Sequence, residues 1–326
     1  MTKNRKKKIS ALLVVHNEEK LIKKCLDSIK DVVDEIIIIH DGPCKDRTLE
    51  IAKNYGITEI YVSSKKIGNA EPHRPFAAQM AKGEWLLPID ADEYLSDKLK
   101  TKILEIKMSD GVIENMKYDR IIARWSLYRN KTKVYDSHKV ILIRKSKTRF
   151  IGIPHHKWEL KEGKSIKINE ALIHNPPISR LSFFGYLKKC YNWSKIHAKY
   201  SITFVKNPKL IPKFNYNIED YPKKSIFRIK HPLLTLIPVV ISTIILTYKN
   251  YKIQSPLLKL RKIVNQVIYQ IMLSFWLYVF NSLWYRLYVK YVKKSEIFYN
   301  NPQEFKVEYK KIKAVQTTKN KNIPEN

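Results

Sequence analysis

Glycine is scarce in this chain, with 8 in 326 residues. None falls in Val15-His16-Asn17-Glu18, where a nucleotidyltransferase on a sheet of this kind would open a glycine-rich phosphate loop. Cysteine is scarcer. Cys25, Cys44 and Cys190 are odd in number, and their spacing suits neither a disulfide framework nor a zinc site. A reducing compartment and three buried thiols follow. Acidic residues are heavily outnumbered, 30 Asp+Glu against 62 Lys+Arg, for a net charge of +32. An anionic partner is expected, and nucleic acid, an anionic membrane or a phosphorylated substrate would each suffice. Drift of composition towards Lys, Asn and Ile is the plainer source of the excess. A secretory leader is not expected. Lys3, Arg5, Lys6, Lys7 and Lys8 do precede an apolar run, but His16-Asn17-Glu18-Glu19 ends it early and no small-residue cleavage site follows. Residues 1–8 therefore read as a basic lead into a buried strand.

Hydrophobic residues make up 44% of the chain, enough for one domain with a full core and a C-terminal extension. Residues 9–95 alternate strand and helix. Ile9–Val15 is continuously apolar, as a strand covered on both faces must be. Asn17 is placed to cap a helix whose apolar face is Leu21, Ile22, Cys25, Leu26 and Ile29. Glu35–His40, Ile60–Val62 and Glu84–Ile89 read as strands, Asp46–Tyr55 and Pro75–Lys82 as helices. Short strands joined by crossover helices predict an α/β, mostly parallel, Rossmann-like sheet with flanking helices. Runs Arg120–Leu127, Lys139–Arg144 and Ser165–Ile173 predict a mixed or antiparallel completion of the sheet. Helices should dominate from about Pro176, and the polar tail from about Pro302 is expected to be disordered.

Ligands of a parallel sheet bind beyond the carboxyl ends of its strands. Three polar clusters sit there: His16–Glu19, His40–Asp46 and Asp90–Glu93. Asp90 and Asp92, directly after a buried strand, supply the hard oxygen ligands that Mg²⁺ or Mn²⁺ prefers. A cation so held neutralises charge on a diphosphate leaving group. Asp41 could accept hydrogen bonds from a nucleotide base or ribose, or could simply close its own turn. Arg74 could contact phosphate or hold the aspartate pair. His16, Asn17, Glu18, Asp41, Arg74 and Asp90 form the expected donor-binding set, with Asp92 and Asp90 on the metal.

Three stretches carry a family resemblance. Ile9-Ser10-Ala11-Leu12-Leu13-Val14-Val15-His16-Asn17-Glu18-Glu19 resembles the opening of family 2 glycosyltransferases of the GT-A fold. Asp34–Gly42 followed by Asp46-Arg47-Thr48 is similar to their second motif, and Ala81–Glu93 to the segment ending in their metal motif. The likeness is strong over residues 9–95 and weakens to about residue 175. It implies inverting transfer from a nucleotide sugar, with Glu18 and Asp41 facing the nucleoside and Asp92 the metal. His40 and Pro43-Cys44 depart from the usual residues. Among bacterial relatives acting on lipopolysaccharide core, a His-Glu pair follows an Arg-containing strand. The similar stretch here runs from Arg144 through Arg149-Phe150-Ile151-Gly152 to His155-His156. His156 stands where the glutamate is expected, so either His156 or Glu159 is the candidate general base. Asp136 is an outside candidate, and His174 is expected to close the site structurally.

Pro232–Tyr248 and Ile263–Tyr285 carry no charge. The second is long enough to span a bilayer, but polar residues interrupt it. Its apolar stripe (Ile263, Val264, Val267, Ile268, Ile271, Met272, Phe275, Val279, Phe280 and Leu283) suits an interfacial helix. If both segments crossed, the basic residues 249–262 would face outwards, against the positive-inside tendency. The expected organisation is a catalytic domain at 9–175, a helical linker at 176–230, membrane-associating helices at 231–295 and a polar tail at 296–326. The expected function is metal-dependent sugar transfer to a lipid-linked or cell-surface glycan at the cytoplasmic face of the membrane, with an anionic membrane surface as partner and no nucleic acid. A basic nucleic-acid-binding protein is the competing reading, although no RNA or DNA motif is present and the charge is spread along the chain. A catalytically inactive glycan-binding relative is another.

Overall fold

The computed structural model describes residues 9–129, 132–177, 183–250, 252–253, 256–278 and 302–312. Its strands are β1 (Ile9–Val15), β2 (Glu35–His40), β3 (Glu59–Ser63), β4 (Trp85–Pro88), β5 (Glu93–Leu95), β6 (Val112–Ile113), β7 (Met116–Lys117), β8 (Arg120–Arg129), β9 (Thr132–Arg144), β10 (Thr148–Ile151), β11 (Glu159–Leu160), β12 (Ser165–His174), β13 (Lys213–Phe214), β14 (Lys252–Ile253) and β15 (Tyr309–Lys311). Its longer helices are α1 (Ile22–Ile29), α2 (Thr48–Asn54), α3 (Arg74–Met80), α4 (Asp97–Met108), α5 (Phe183–Lys206), α6 (Lys223–Lys230), α7 (Leu236–Asn250) and α8 (Pro256–Tyr278).

The large sheet runs β15-β3-β2-β1-β4-β9-β8-β12-β5, with β14 also on β9. Strands β3, β2, β1 and β4 are parallel. The chain order reverses at β1, between β2 and β4, which opens a crevice at their carboxyl ends. Beyond β4 the sheet turns mixed: β9 is antiparallel to β4 and β8, while β12 is parallel to β8. This is the expected α/β architecture with flanking helices.

Alternation along the strands explains why the first four are apolar throughout. Ala11, Leu13 and Val15 of β1 pack with Ile38 on one face of the sheet. Leu12 packs with Ile37 and Ile39 on the other. Helices α1, α2 and α4 cover the first face and α3 the second. The turn before β4 crosses so near β1 that a Cβ on Gly83 would lie 2.5 Å from Ser10 Oγ, so only glycine fits. A further core joins α5 and α8 to residues 151–153 and 211–229, through Cys190, Ala198, Ile202, Tyr269 and Leu273.

Two expectations are corrected. Asn17 does not cap α1: the helix starts at Ile22 with Leu21 before it and no side-chain cap. Asn17 instead adopts a left-handed backbone, φ 53°, and its Oδ1 accepts from the Lys45 amide at 2.9 Å. The tail is not disordered over residues 302–312. It returns as β15 antiparallel to β3, and Tyr309 stacks on Phe76 with centroids 3.9 Å apart. The stripe expected on the last long helix is open to solvent at three of its positions. Tyr269, Leu273 and Leu277 point inwards, while Val264, Ile271 and Phe275 are exposed; Val279, Phe280 and Leu283 lie outside the described residues. Packing on α5 set the helix's rotation, and hydrophobicity alone did not. Among the described residues, no helix is long and apolar enough to cross a membrane.

Candidate active site

The carboxyl ends of β1, β2 and β4 converge as the topology requires. His16 Nδ1 lies 2.6 Å from the Asp41 carbonyl oxygen. His40, fully buried, has Nδ1 2.6 Å from the Gly42 carbonyl oxygen. A carbonyl can only accept, so Nδ1 carries the proton and Nε2 is left to accept from the Asn17 amide at 3.2 Å. Burial holds the His40 pKa down, so the ring stays neutral. This is the physical role of the residue that departs from the family pattern: it ties the end of β1 to the end of β2. Glu18 and Glu19 donate their amides to Thr48 Oγ1 and Asp46 Oδ2, at 2.7 and 3.1 Å.

Asp41 is buried, and its carboxylate is engaged by the protein. Oδ1 accepts from the Ile67 amide at 2.6 Å and Oδ2 from the Gly68 amide at 2.7 Å. His73 Nε2 lies 3.0 Å from Oδ1, with Tyr309 Oη on its other nitrogen at 3.0 Å. Burial opposes the charge on Asp41, but His73 and the two amides outweigh it and hold its pKa low. The carboxylate thus anchors the loop after β3 and the start of α3.

The two aspartates after β4 are treated differently. Asp90 Oδ1 accepts from Arg74 Nη2 at 3.1 Å and Oδ2 from Lys139 Nζ at 2.8 Å. Lys139 also reaches Glu93 Oε2 at 2.6 Å. Glu93, only 1% exposed, accepts further from the Asp90 amide at 3.0 Å and from Trp125 Nε1 at 2.7 Å. Burial works against the Asp90 charge, yet Lys139 and Arg74 prevail and hold its pKa well below the usual carboxylate range. Burial pushes Glu93 upwards, against the pull of Lys139. Asp92 is turned towards His174, whose Nε2 is 3.4 Å from its Oδ2. The His174 ring stacks on Trp125 at 4.4 Å, and its Nδ1 is buried without a hydrogen bond among the described residues. There, no group of three or more His, Cys, Asp or Glu side chains forms a metal cage.

The acceptor-side candidates lie together but point inwards. His156 Nε2 is 3.5 Å from Glu159 Oε1, and Glu159 accepts from Arg149 Nε at 2.9 Å. Arg149 also pairs with Asp220. The His156 ring packs edge-on against Phe150 and Tyr216. Burial, helped by the Arg149 charge, pushes it down to about 4. His155 is the exposed member of the pair. Its backbone is left-handed, φ 63°, a conformation uncommon outside glycine that histidine tolerates better than most. Its ring meets Trp193, His197 and Tyr269 at 5.5, 5.8 and 4.8 Å. Asp136 bonds Ser126 Oγ at 2.5 Å and Lys133 Nζ at 3.1 Å.

Sequence reasoning missed Lys139 and the partners of Glu93. A β-bulge explains the first: Ile121 pairs with Leu142 but Ile122 with Val140, so Ile141 is the extra residue on β9. Bulges re-aim side chains, and no simple alternation forecasts one.

Residues 10–161 match the model of glycosyl transferase family 2. An uncharacterised glycosyltransferase of Rickettsia bellii is 32% identical over 133 residues, 39% of this chain and 41% of that protein. One from Rickettsia typhi is 37% identical over 103 residues, 30% of this chain and 32% of that one. The matches thus span less than half of these curated relatives. Among solved structures, S. aureus TarS 1-349 is similar at 13% identity and a TM-score of 0.40, over 86% of this chain and 91% of that one. Over residues 10–161, a little under half of its length, this chain is similar to glycosyltransferase family 2.

Proposed function

We propose that the chain transfers a sugar, with inversion, from a nucleotide-sugar donor to a glycan or lipid-linked acceptor. The observation that carries this reading is the division of labour in Asp90-Ala91-Asp92. Asp90 is held by two half-buried cations, while Asp92 faces an imidazole at the open end of β4. Arg74 and Lys139 give that end of the sheet a positive lining fit for a diphosphate. Asp92 Oδ2 is an oxygen donor suited to Mn²⁺ or Mg²⁺, whose remaining positions are commonly taken by phosphate and water; His174 Nε2 beside it would favour Mn²⁺ of the two. When bound, such a cation would neutralise charge on the departing nucleoside diphosphate. His16, Asn17 and Glu18 border the nucleoside end, with Asp41 supporting the wall behind them.

Inversion needs a base opposite the leaving group. We assign this to His155 in place of the expected His156 or Glu159. His155 is exposed where His156 is enclosed. Desolvation among the neighbouring rings lowers the His155 pKa, against the pull of the Glu71 carboxylate, which also acts on Arg74. The acceptor hydroxyl gives its proton to the imidazole as its oxygen bonds the anomeric carbon, and the nucleoside diphosphate leaves with the old bond's electrons. The enclosed His156–Glu159–Arg149 set shapes the loop.

The test is a thermal-shift panel of nucleotide sugars with and without Mn²⁺, on wild type and Asp92→Ala. Stabilisation by one donor, dependent on metal and lost in the variant, is expected. Stabilisation that survives in Asp92→Ala overturns the metal assignment. Transfer should fall on the order of 10²–10⁴-fold in His155→Gln but far less in His156→Gln; the reverse order overturns the base.

A further inference from the structure

Helix α7 presents an apolar surface to solvent. Leu234 is 74% and Ile237 71% exposed, and Leu257 at the start of α8 is 75% exposed. Leu233, Ile241 and Ile245 continue the patch. No charged residue occurs from Leu236 to Tyr248. Such a contiguous surface is costly in water unless something covers it.

Neighbouring helices hold this surface in place. Tyr269, Leu273 and Leu277 of α8 are buried in the core shared with α5. Arg228 Nη2 of α6 donates to Gln270 of α8 at 2.6 Å. Around the patch the charge has one sign. Lys223, Lys224 and Lys230 on α6 and Arg261 on α8 are exposed, and Lys259 Nζ lies over the Tyr248 ring at 3.4 Å. No Asp or Glu occurs anywhere from Tyr221 to Ser295.

We propose that α7, framed by the cations of α6 and α8, seats the protein on an anionic lipid bilayer, with the helix lying in the interface. Its 15 residues reach about 22 Å at ~1.5 Å per residue, short of the roughly 30 Å hydrocarbon core. An apolar face bordered by lysine and arginine is the chemistry of an interfacial helix. A second copy of this chain fits poorly, because a twofold contact would bring the same basic residues together with no acid to answer them. An anionic headgroup layer supplies that missing charge. The inference does not depend on the sugar-transfer reading.

The test is flotation of the intact protein with vesicles of phosphatidylcholine alone or mixed equally with phosphatidylglycerol. Light scattering without lipid is run alongside. Flotation with the anionic vesicles, weaker at high salt, is expected. Ile237→Asp/Ile241→Asp should reduce binding by at least about tenfold. Lys223→Glu/Lys224→Glu/Lys230→Glu should reduce it on the order of fivefold per lost charge. Both changes lie on exposed side chains, and an unaltered melting transition will show that each variant is folded. Failure of the intact protein to float with anionic vesicles overturns the proposal. So does unchanged binding by the folded Ile237→Asp/Ile241→Asp variant. A dimer that this variant dissolves, with no flotation, would assign the face to self-association.

Discussion

The sheet's carboxyl edge and the α5–α8 region bury charge in opposite ways. At the edge, buried charges come in opposed sets. Asp90 and Glu93 share Lys139, and Asp41 meets His73. In the helical region, burial bears on a group of basic side chains. Burial and the Lys189 charge push Lys262 down to about 8. Burial takes Lys199 to about 8, and it lowers Arg228 and His197 as well. The first arrangement fixes side chains at defined atoms, which a site that grips a ligand needs. The second stores electrostatic cost, which relaxes when a proton is lost or an anion arrives.

Substitutions can break this contrast. The largest expected effect is Lys139→Met, which leaves the Asp90 and buried Glu93 carboxylates facing each other and should cost about 3–5 kcal/mol in urea denaturation. Adding Glu93→Gln should recover part of it. A loss under about 1 kcal/mol would mean that the edge tolerates unpaired charge after all. Acidification comes next. His156 titrates near 4 when folded and near 6.5 when unfolded, so the unfolded chain binds more protons between those values. Stability should therefore fall as pH drops from about 6.5 to 4, by on the order of 3 kcal/mol from this group. His156→Gln should flatten that slope in urea melts at stepped pH. Lys262→Met works in the other direction. Removing an ammonium that burial disfavours should raise stability at pH 7 by about 1 kcal/mol. In the wild type, Lys262 contributes rising stability from about pH 8 to about 10.5; a variant that melts lower at pH 7 would undo the contrast. Smallest is Tyr309→Phe, which removes the hydroxyl on His73 and should cost about 0.5–1.5 kcal/mol in the same denaturation assay.

Local patterns foretold the parallel half of the molecule well. Ile9–Val15 and Glu35–His40 are strands with the expected bounds, because burial on both faces leaves an uninterrupted apolar run. The clusters at their ends were equally readable, since α/β topology alone brings Asp41 and Asp90 to one edge. What lay hidden depends on distant contacts. Lys139 reaches Asp90 through a bulge, and His174 reaches Asp92 from the last residue of a strand far along the chain. The left-handed turn at His155 leaves no mark in composition. The rotation of α8 was set by α5, which hydrophobic periodicity cannot see.

Strand β15 has a consequence for solubility. It pairs antiparallel along β3 through Tyr309, Lys310 and Lys311. Without it, Tyr61, Val62 and Ser63 would offer open backbone donors and acceptors at the rim of a wide sheet, ready to template another chain. Two adjacent lysines in the covering strand discourage further addition. Removing residues 302–312 should therefore produce aggregation well before it produces loss of secondary structure.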